Sequence, residues 1–320
     1  MVTNNPDNRT NFIEVINLTK YYGTKCAIDN INFNLNSGEI IGLLGLNGSG
    51  KTTTIRILSN FLIPTSGNVL LNGIDTFRNP MEFKNKIGYL PEIPPLYEDF
   101  DVVDYLKFVS RLKNVPESKI ENEIERVCKR TNILEVKNKI ISHLSLGFKK
   151  RVGIAMAIIG NPFLIIMDEP ISGLDPKQII EIRNLIKELS KEHSILISSH
   201  ILSEMVKTCN RFLFLLDGKL VKQLNHSELE LEMQKHSKLE ISLSGKSQYE
   251  CAEYLSNLQV NTLVNFIHED FDGFIFQVTP SNEKIYKDEL ISSLSKCSLH
   301  LVSLKRIEIT LEQIFMSIVN

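Results

Sequence analysis

The sequence lacks the long apolar runs that a membrane-spanning protein needs. Its hydrophobic stretches, such as residues 40–44 and 212–216, are far shorter than the about 20 residues of a bilayer span. Residues 1–11 are polar and show no basic start followed by an apolar stretch, so the pattern of a secretory signal is missing. We therefore expect a chain that does not cross a membrane by itself.

Cysteine and net charge are also low. The five cysteines are scattered without any Cys-x-x-Cys spacing, which argues against a disulfide framework or a zinc site and favours free thiols in a reducing cytosol. A formal net charge of −2 provides no broad basic surface, so nucleic acid is not an expected partner. The 320 residues, 42% of them hydrophobic and 23% charged, are typical of a soluble globular protein and sufficient for two domains.

One glycine-rich segment carries most of the chemical information. Residues 45–52 fit the phosphate-loop pattern Gly-x4-Gly-Lys-Ser/Thr, and they lie between an apolar run typical of a buried parallel strand and a helix-compatible stretch. Glycines let backbone amides converge on phosphate oxygens, Lys51 supplies a cation, and the Thr52 hydroxyl can ligate magnesium. The segment predicts a nucleoside triphosphate site without identifying the nucleotide. Its candidate binding residues are Gly45, Leu46, Asn47, Gly48, Ser49, Gly50, Lys51, Thr52 and Thr53.

Two further strand-like segments end in polar side chains. The apolar run 163–167 leads to Asp168, which is placed to hold magnesium, and to Glu169, which can orient or deprotonate an attacking water. A second apolar run, 194–198, is followed by His200. Because open parallel sheets bind ligands at the carboxyl ends of their strands, His200 is a candidate to contact the γ-phosphate or the attacking water.

These segments occur together with other motifs in an order that resembles the ATPase subunit of ABC transporters over residues 12–225. The further matching positions are the signature residues Ser145 and Gly147 within 144–148, the D-loop 172–175 with Asp175, and Tyr22, which resembles the adenine-stacking aromatic. The resemblance implies ATP and Mg²⁺ as cofactors and Glu169 and His200 as catalytic residues. It also implies a metal site formed by Thr52, Asp168 and Glu92.

The fold class expected from this resemblance is α/β, a P-loop NTPase cassette with a RecA-like core sheet, an antiparallel β subdomain and a helical subdomain at about 93–160. We expect the cassette to cover residues 1–226, followed by a linker helix at 227–238. Residues 239–320 follow the order β-α-β-β-α-β, which predicts a small α+β ferredoxin-like domain. RNA-recognition domains share that order, but acidic residues surround Phe274 and Phe276, so we expect core packing of these aromatics.

The signature motif implies a partner. A serine and open amides at a helix start form an anion site, yet the chain already has one phosphate loop. In ABC ATPases the signature binds the γ-phosphate held by the other subunit, so we expect a second copy of this chain or a paralogous ATPase. The resemblance further implies separately encoded permease subunits and a peripheral position on the cytoplasmic face of the cell membrane.

Some positions depart from the family pattern. Glu92 stands where glutamine is usual, and its carboxylate can still ligate magnesium. The stretch 89–97 around it resembles the ABC-2 export subfamily. The guanine motif Asn-Lys-x-Asp is missing, which together with Tyr22 favours ATP over GTP. We therefore expect an ATP-hydrolysing subunit of an exporter, and the alternative is a soluble ABC ATPase that acts on cytosolic partners, as in iron–sulfur assembly.

Overall fold

The computed structural model describes residues 12–235, 238–259, 262–294, 298–307 and 313. The chain divides into two compact units, Met1–His226 and Ser227–Asn320. No helix in these described stretches combines the length and the apolar character of a membrane span. The elements of the first unit are β1 (Ile13–Tyr22), β2 (Lys25–Leu35), β3 (Ile40–Gly45), α1 (Lys51–Leu58), β4 (Ser66–Leu71), β5 (Ile74–Asp75), α2 (Pro80–Lys86), β6 (Ile87–Leu90), α3 (Val102–Leu112), α4 (Glu117–Arg130), α5 (Leu146–Ile158), β7 (Leu164–Asp168), α6 (Pro176–Leu189), β8 (Ser194–Ser198), α7 (Leu202–Thr208), β9 (Arg211–Leu216) and β10 (Lys219–Asn225).

A six-stranded sheet in the order β10-β9-β3-β8-β7-β6 forms the centre of this unit. All neighbouring strands are parallel except β10, which pairs with β9 as an antiparallel edge. Every residue of β7 and β8 is buried, as continuous apolar strands in a covered parallel sheet require. The carboxyl ends of β3, β8, β7 and β6 therefore lie side by side along one edge.

A second sheet covers part of this core. It is antiparallel, has the order β2-β1-β4-β5, and corresponds to the predicted antiparallel subdomain. Its inward side chains, among them Ile13, Leu18 and Ile28, form one hydrophobic cluster with Ile41 of β3 and Ile55 of α1. This shared cluster fixes the antiparallel sheet against the helix that follows the phosphate loop.

The predicted helical subdomain contains α3, α4 and the two short 3-10 turns Leu134–Val136 and Ile141–His143, followed by α5. Helix α5 packs very closely on β6, because a Cβ atom at Gly88 would collide with the carbonyl oxygen of Ala157. At Gly153 a Cβ atom would lie 2.7 Å from a methyl carbon of Leu90. The two glycines thus allow α5 to lie against the strand that leads to Glu92.

The second unit contains α8 (His226–Lys235) from its second residue onward, followed by β11 (Lys238–Ser244), α9 (Gln248–Asn257), β12 (Leu263–Glu269), β13 (Phe274–Thr279), α10 (Glu283–Leu294) and β14 (His300–Ile307). Its antiparallel sheet has the order β12-β13-β11-β14, so the predicted β-α-β-β-α-β succession is present. Phe276 is fully buried and Phe274 packs against the same core cluster, as we expected. The helix predicted for 227–238 is shorter, because α8 ends at Lys235 and Lys238 already belongs to β11.

Candidate active site

The phosphate loop joins β3 to α1 through a sharp backbone turn. Gly50 precedes α1 in a left-handed conformation with φ 104°, and a Cβ atom there would lie 2.7 Å from the carbonyl oxygen of Ala27. Only glycine fits this combination of backbone geometry and close approach. The ammonium group of Lys51 donates to the carbonyls of Gly45 at 2.7 Å and Leu46 at 3.1 Å, so the side chain curls back into the loop.

The turn between β9 and β10 supports this loop from the side. The backbone N–H of Gly218 donates to the carbonyl of Ser49 at 3.1 Å, and the Gly218 carbonyl accepts from Asp29 N–H at 2.8 Å. Asp217 and Gly218 both have positive φ, as a tight hairpin with an Asp-Gly turn requires. The contact of this hairpin with the phosphate loop was not predicted from the sequence, because a turn motif carries no signal for a distant partner.

The acidic pair lies at the end of β7. Ser198, the last residue of the adjacent strand β8, donates a hydrogen bond from its Oγ to Asp168 Oδ1. Glu169 has a left-handed backbone with φ 49°, a conformation that is uncommon outside glycine and typical of functional sites. Its carboxylate oxygen Oε2 lies 2.9 Å from His200 Nδ1 and accepts from Ser199 Oγ at 3.3 Å.

These elements enclose a cavity of about 610 Å³. It brings together most of the predicted site, while Gly45, Leu46 and Ser49 belong to the loop but do not line the cavity. Lys25 and Ala27, from the start of β2, also line it and were missed, since neither belongs to a motif. The predicted residues at the cavity are Tyr22, Asn47, Gly48, Gly50, Lys51, Thr52, Thr53, Glu92, Asp168, Glu169 and His200.

Tyr22 stands at the end of β1, where it pairs with Lys25 across the hairpin. Its residue surface is 47% exposed, so the ring is accessible to a flat base. Lys20 Nζ lies 5.5 Å from the ring centroid, a distance at which a cation is attracted to an aromatic face. The structure therefore places an accessible aromatic ring at the cavity.

Two lysines and three carboxylates set the electrostatics. Burial lowers the pKa of the Lys51 ammonium group, and the charges of Glu169 and Asp168 oppose that shift. Burial likewise lowers the pKa of Lys150, against the attraction of the carboxylates of Glu92, Glu169 and Asp168. In both cases the nearby acids offset part of the cost of burying a cation.

The signature segment lies outside this cavity. Ser145 is the N-cap of α5 and accepts from the Phe148 N–H at 3.4 Å. Gly147 lies in the first turn of α5, which begins at Leu146. A Cβ atom at Gly147 would lie 2.8 Å from the side chain of Gln178 in α6. Asp175 is the N-cap of α6 and accepts from the Gln178 N–H at 2.9 Å. Like Ser145 and Gly147, it does not line the cavity.

The donor set at the cavity suits a hard cation. The hydroxyl of Thr52 and the carboxylates of Asp168 and Glu92 all offer oxygen, which Mg²⁺ prefers. Within the described residues, no group of three or more His, Cys, Asp or Glu side chains is arranged to hold a metal. These oxygens would therefore act together with phosphate oxygens, as is usual for Mg²⁺ in nucleotide sites.

A phosphate loop after β3 and an acidic pair after β7, with β8 between these two strands in the sheet, define a P-loop nucleoside triphosphatase. The ABC transporter family profile matches residues 28–172. The chain is 36% identical over 237 residues to the bacitracin transport ATP-binding protein BcrA of Bacillus licheniformis, covering 73% of this chain and 76% of that protein. It is 36% identical over 219 residues to the lantibiotic transport ATP-binding protein SrtF of Streptococcus pyogenes, covering 68% and 93%.

Among solved structures, cbiO1 from Clostridium perfringens, part of the ABC transporter complex cbiONQ, matches with a TM-score of 0.65 and 30% identity, covering 70% of this chain and 92% of that one. The chain therefore belongs to the ATP-binding subunits of ABC transporters. It is an ATPase of that family, and the relatives give no support to the iron–sulfur alternative.

Proposed function

We propose that this chain hydrolyses ATP with Glu169 as the residue that orients and deprotonates the attacking water. The observation that carries the proposal is the position of its carboxylate, 13% exposed and 2.9 Å from His200 Nδ1, in the same cavity as Lys51. A carboxylate within reach of a histidine can take up a proton while the histidine holds the γ-phosphate or the water in place. Tyr22 stacks on adenine, and the amides of residues 47–53 bind the phosphates.

Mg²⁺ is held by the Thr52 hydroxyl and by Asp168, with Glu92 on the neighbouring loop. The bond from Ser198 to Asp168 orients that carboxylate and supports this assignment. When bound, the ion would supply positive charge that offsets the charge developing on the phosphate during hydrolysis.

The functional unit contains two ATPase subunits. Ser145, Gly147 and Asp175 match the family motifs but do not line the cavity of their own chain. The open N-terminus of α5, capped by Ser145, is suited to an anion. We assign it to the γ-phosphate held by the second subunit, a copy of this chain or a paralogue, so that two subunits enclose two ATP molecules.

The subunit drives an exporter through separate membrane permeases, which hold it at the cytoplasmic face of the membrane. A cavity of about 650 Å³, here called the apolar groove, supports this partner. It lies beside the helical subdomain, and its lining includes two lysines, Lys84 and Lys113. The Lys113 ammonium donates to the carbonyls of Lys84 and Ile87 at 3.0 and 2.6 Å. Because most of the other lining residues are aromatic or aliphatic, we assign the groove to an apolar helix of a permease. The groove is lined by residues that include Phe61, Met81, Tyr89, Tyr97, Tyr105, Phe108, Leu112, Lys113 and Met156.

The assignment of Glu169 is tested by Glu169→Gln, which keeps the size of the side chain but removes its basicity. We expect ATP binding to persist and turnover to fall by about 100-fold or more, because general acid–base catalysis typically contributes about 10²–10⁴-fold. Lys51→Ala is the companion variant, for which we expect weaker ATP binding. Near-normal hydrolysis by the Glu169→Gln variant would show that another group activates the water. Unchanged ATP affinity in Lys51→Ala would contradict the phosphate-loop assignment.

A further inference from the structure

Lys150 is a buried lysine whose ammonium group reaches two loops of the candidate active site. It lies in α5 and is 3% exposed. Its Nζ donates to the carbonyl oxygen of Glu92 at 2.6 Å and to that of Glu169 at 3.2 Å. Glu92 follows β6 and Glu169 follows β7, so one side chain joins the helix that begins at the signature to two neighbouring catalytic loops.

The surroundings explain how a charged group is retained there. Taking an ammonium group out of water is costly unless hydrogen bonds and opposite charges compensate it. Two carbonyl oxygens accept hydrogen bonds from this ammonium group, and the carboxylates of Glu92, Asp168 and Glu169 attract its positive charge. Lys150 also offsets part of the negative charge that these acids present to a phosphate ligand.

The contact with Glu169 acts on a strained residue. The left-handed backbone of Glu169, with φ 49°, is unfavourable for a residue with a Cβ atom. Its N–H donates to the Ser198 carbonyl at 3.1 Å, and its own carbonyl accepts from Ser172 N–H at 3.2 Å as well as from Lys150. The ammonium group therefore helps to hold the backbone conformation from which the carboxylate is directed toward His200.

We propose that Lys150 is a positioning residue for ATP hydrolysis, which clamps the Glu92 and Glu169 loops to α5 and so fixes the direction of the Glu169 carboxylate. The inference rests on the role proposed above for Glu169. Lys150 has no proposed contact with ATP. We therefore expect the clamp to affect the chemical step more than nucleotide binding.

The test is Lys150→Met, which keeps the length of the side chain without donors or charge. Its control is Lys149→Met, the same change at the neighbouring lysine, whose ammonium pairs with Glu98 at 2.7 Å. For Lys150→Met we expect kcat to fall by about tenfold or more, as for a lost hydrogen bond from a charged group, with ATP Kd nearly unchanged. Tm should fall as well, because the carbonyls of Glu92 and Glu169 lose their charged donor. Lys149→Met should retain wild-type kcat. Lys150→Gln, which restores N–H donors, should show a higher kcat than the methionine variant.

Two results would overturn the clamp. One is a wild-type kcat in Lys150→Met; if that variant does not fold, Lys150→Ser, which admits water to the two carbonyls, provides the same measurement. The other is a parallel loss of kcat and ATP binding without rescue by glutamine, which indicates a general structural role. If Glu169→Gln is inactive while Lys150→Met is normal, only the clamp fails; an active Glu169→Gln variant removes the role of Glu169 itself.

Discussion

At the residue scale, the backbone of Glu169 is the most informative feature of the site. A non-glycine residue in the left-handed region costs about 1–3 kcal/mol. Here the N–H of Glu169 donates to the Ser198 carbonyl, and the Glu169 carbonyl accepts from Ser172 N–H and Lys150 Nζ. Among the described non-glycine residues with positive φ, Glu169 is the one that is neither asparagine nor aspartate, the residue types that tolerate this region best. We attribute this backbone conformation to the chemistry proposed for its carboxylate.

A buried histidine provides a prediction for pH. His193 is 1% exposed, and its Nδ1 lies 2.6 Å from the Pro162 carbonyl. Burial lowers the pKa of its imidazole from 6.5, and the charges of Arg126 and Arg130 act in the same direction. The hydrogen bond with Pro162 and the charge of Glu192 oppose this shift. Below pH 6.5 the unfolded chain then binds more protons than the folded one. The contribution of His193 to the free energy of unfolding is therefore complete above pH 6.5 and is lost as the pH falls toward the folded pKa. The slope from this group is at most about 1.4 kcal/mol per pH unit.

The measurement is urea denaturation across a pH series for wild type and His193→Gln. The variant should lose part of the decrease in unfolding free energy below pH 6.5. His143→Gln, a change at an exposed histidine, should retain the wild-type slope. Identical pH profiles for wild type and His193→Gln would contradict the buried neutral imidazole.

At the element scale, two serine caps with the same geometry distinguish stability from function. Ser145 caps α5 and Ser247 caps α9, and each accepts from the N–H of the third helical residue at 3.4 Å. Replacing such a cap by alanine costs about 1 kcal/mol of stability. Only Ser145 belongs to the signature that we assign to the second subunit's ATP.

We therefore expect Ser145→Ala and Ser247→Ala to lower the unfolding free energy of their own units by similar amounts, while only Ser145→Ala lowers ATPase turnover. Thermal denaturation and a steady-state ATPase assay measure the two effects. A comparable loss of turnover in both variants would mean that the signature serine acts through stability alone.

At the scale of the whole molecule, the cassette and the second unit have separate cores. One cluster joins the two sheets of the first unit, and another, centred on Ile241 and Phe276, fills the second unit. The apolar groove belongs entirely to the first unit. The permease docking that we propose is therefore assigned to the cassette alone.

Phe61 and Phe271 test that docking as a matched pair. Both are exposed, by 71% and 109%, but only Phe61 lines the apolar groove. We expect Phe61→Asp to abolish co-purification with the permease from detergent-solubilised membranes, because a carboxylate in an apolar contact is strongly unfavourable. Phe271→Asp should leave it intact. Co-purification that survives Phe61→Asp would exclude the groove as the docking site, and failure of the wild-type chain to co-purify would favour the cytosolic alternative.

The sequence by itself determined the features that are encoded locally. Residues 45–52 specify the phosphate loop because the glycines, Lys51 and Thr52 are contiguous, and the apolar run before Asp168 specifies a buried strand. The order of motifs along the chain was sufficient for the family. These signals need no knowledge of distant partners.

The tertiary structure alone decided the contacts between residues far apart in the chain. Gly218 reaches the phosphate loop at Ser49, Gly88 permits the close approach of Ala157, and Lys150 joins the Glu92 and Glu169 carbonyls. Each depends on how strands and helices meet once the core has packed, so a one-dimensional pattern contains no signal for it. The clamp proposed for Lys150 depends on the tertiary structure, because packing of α5 places its ammonium group between the ends of β6 and β7.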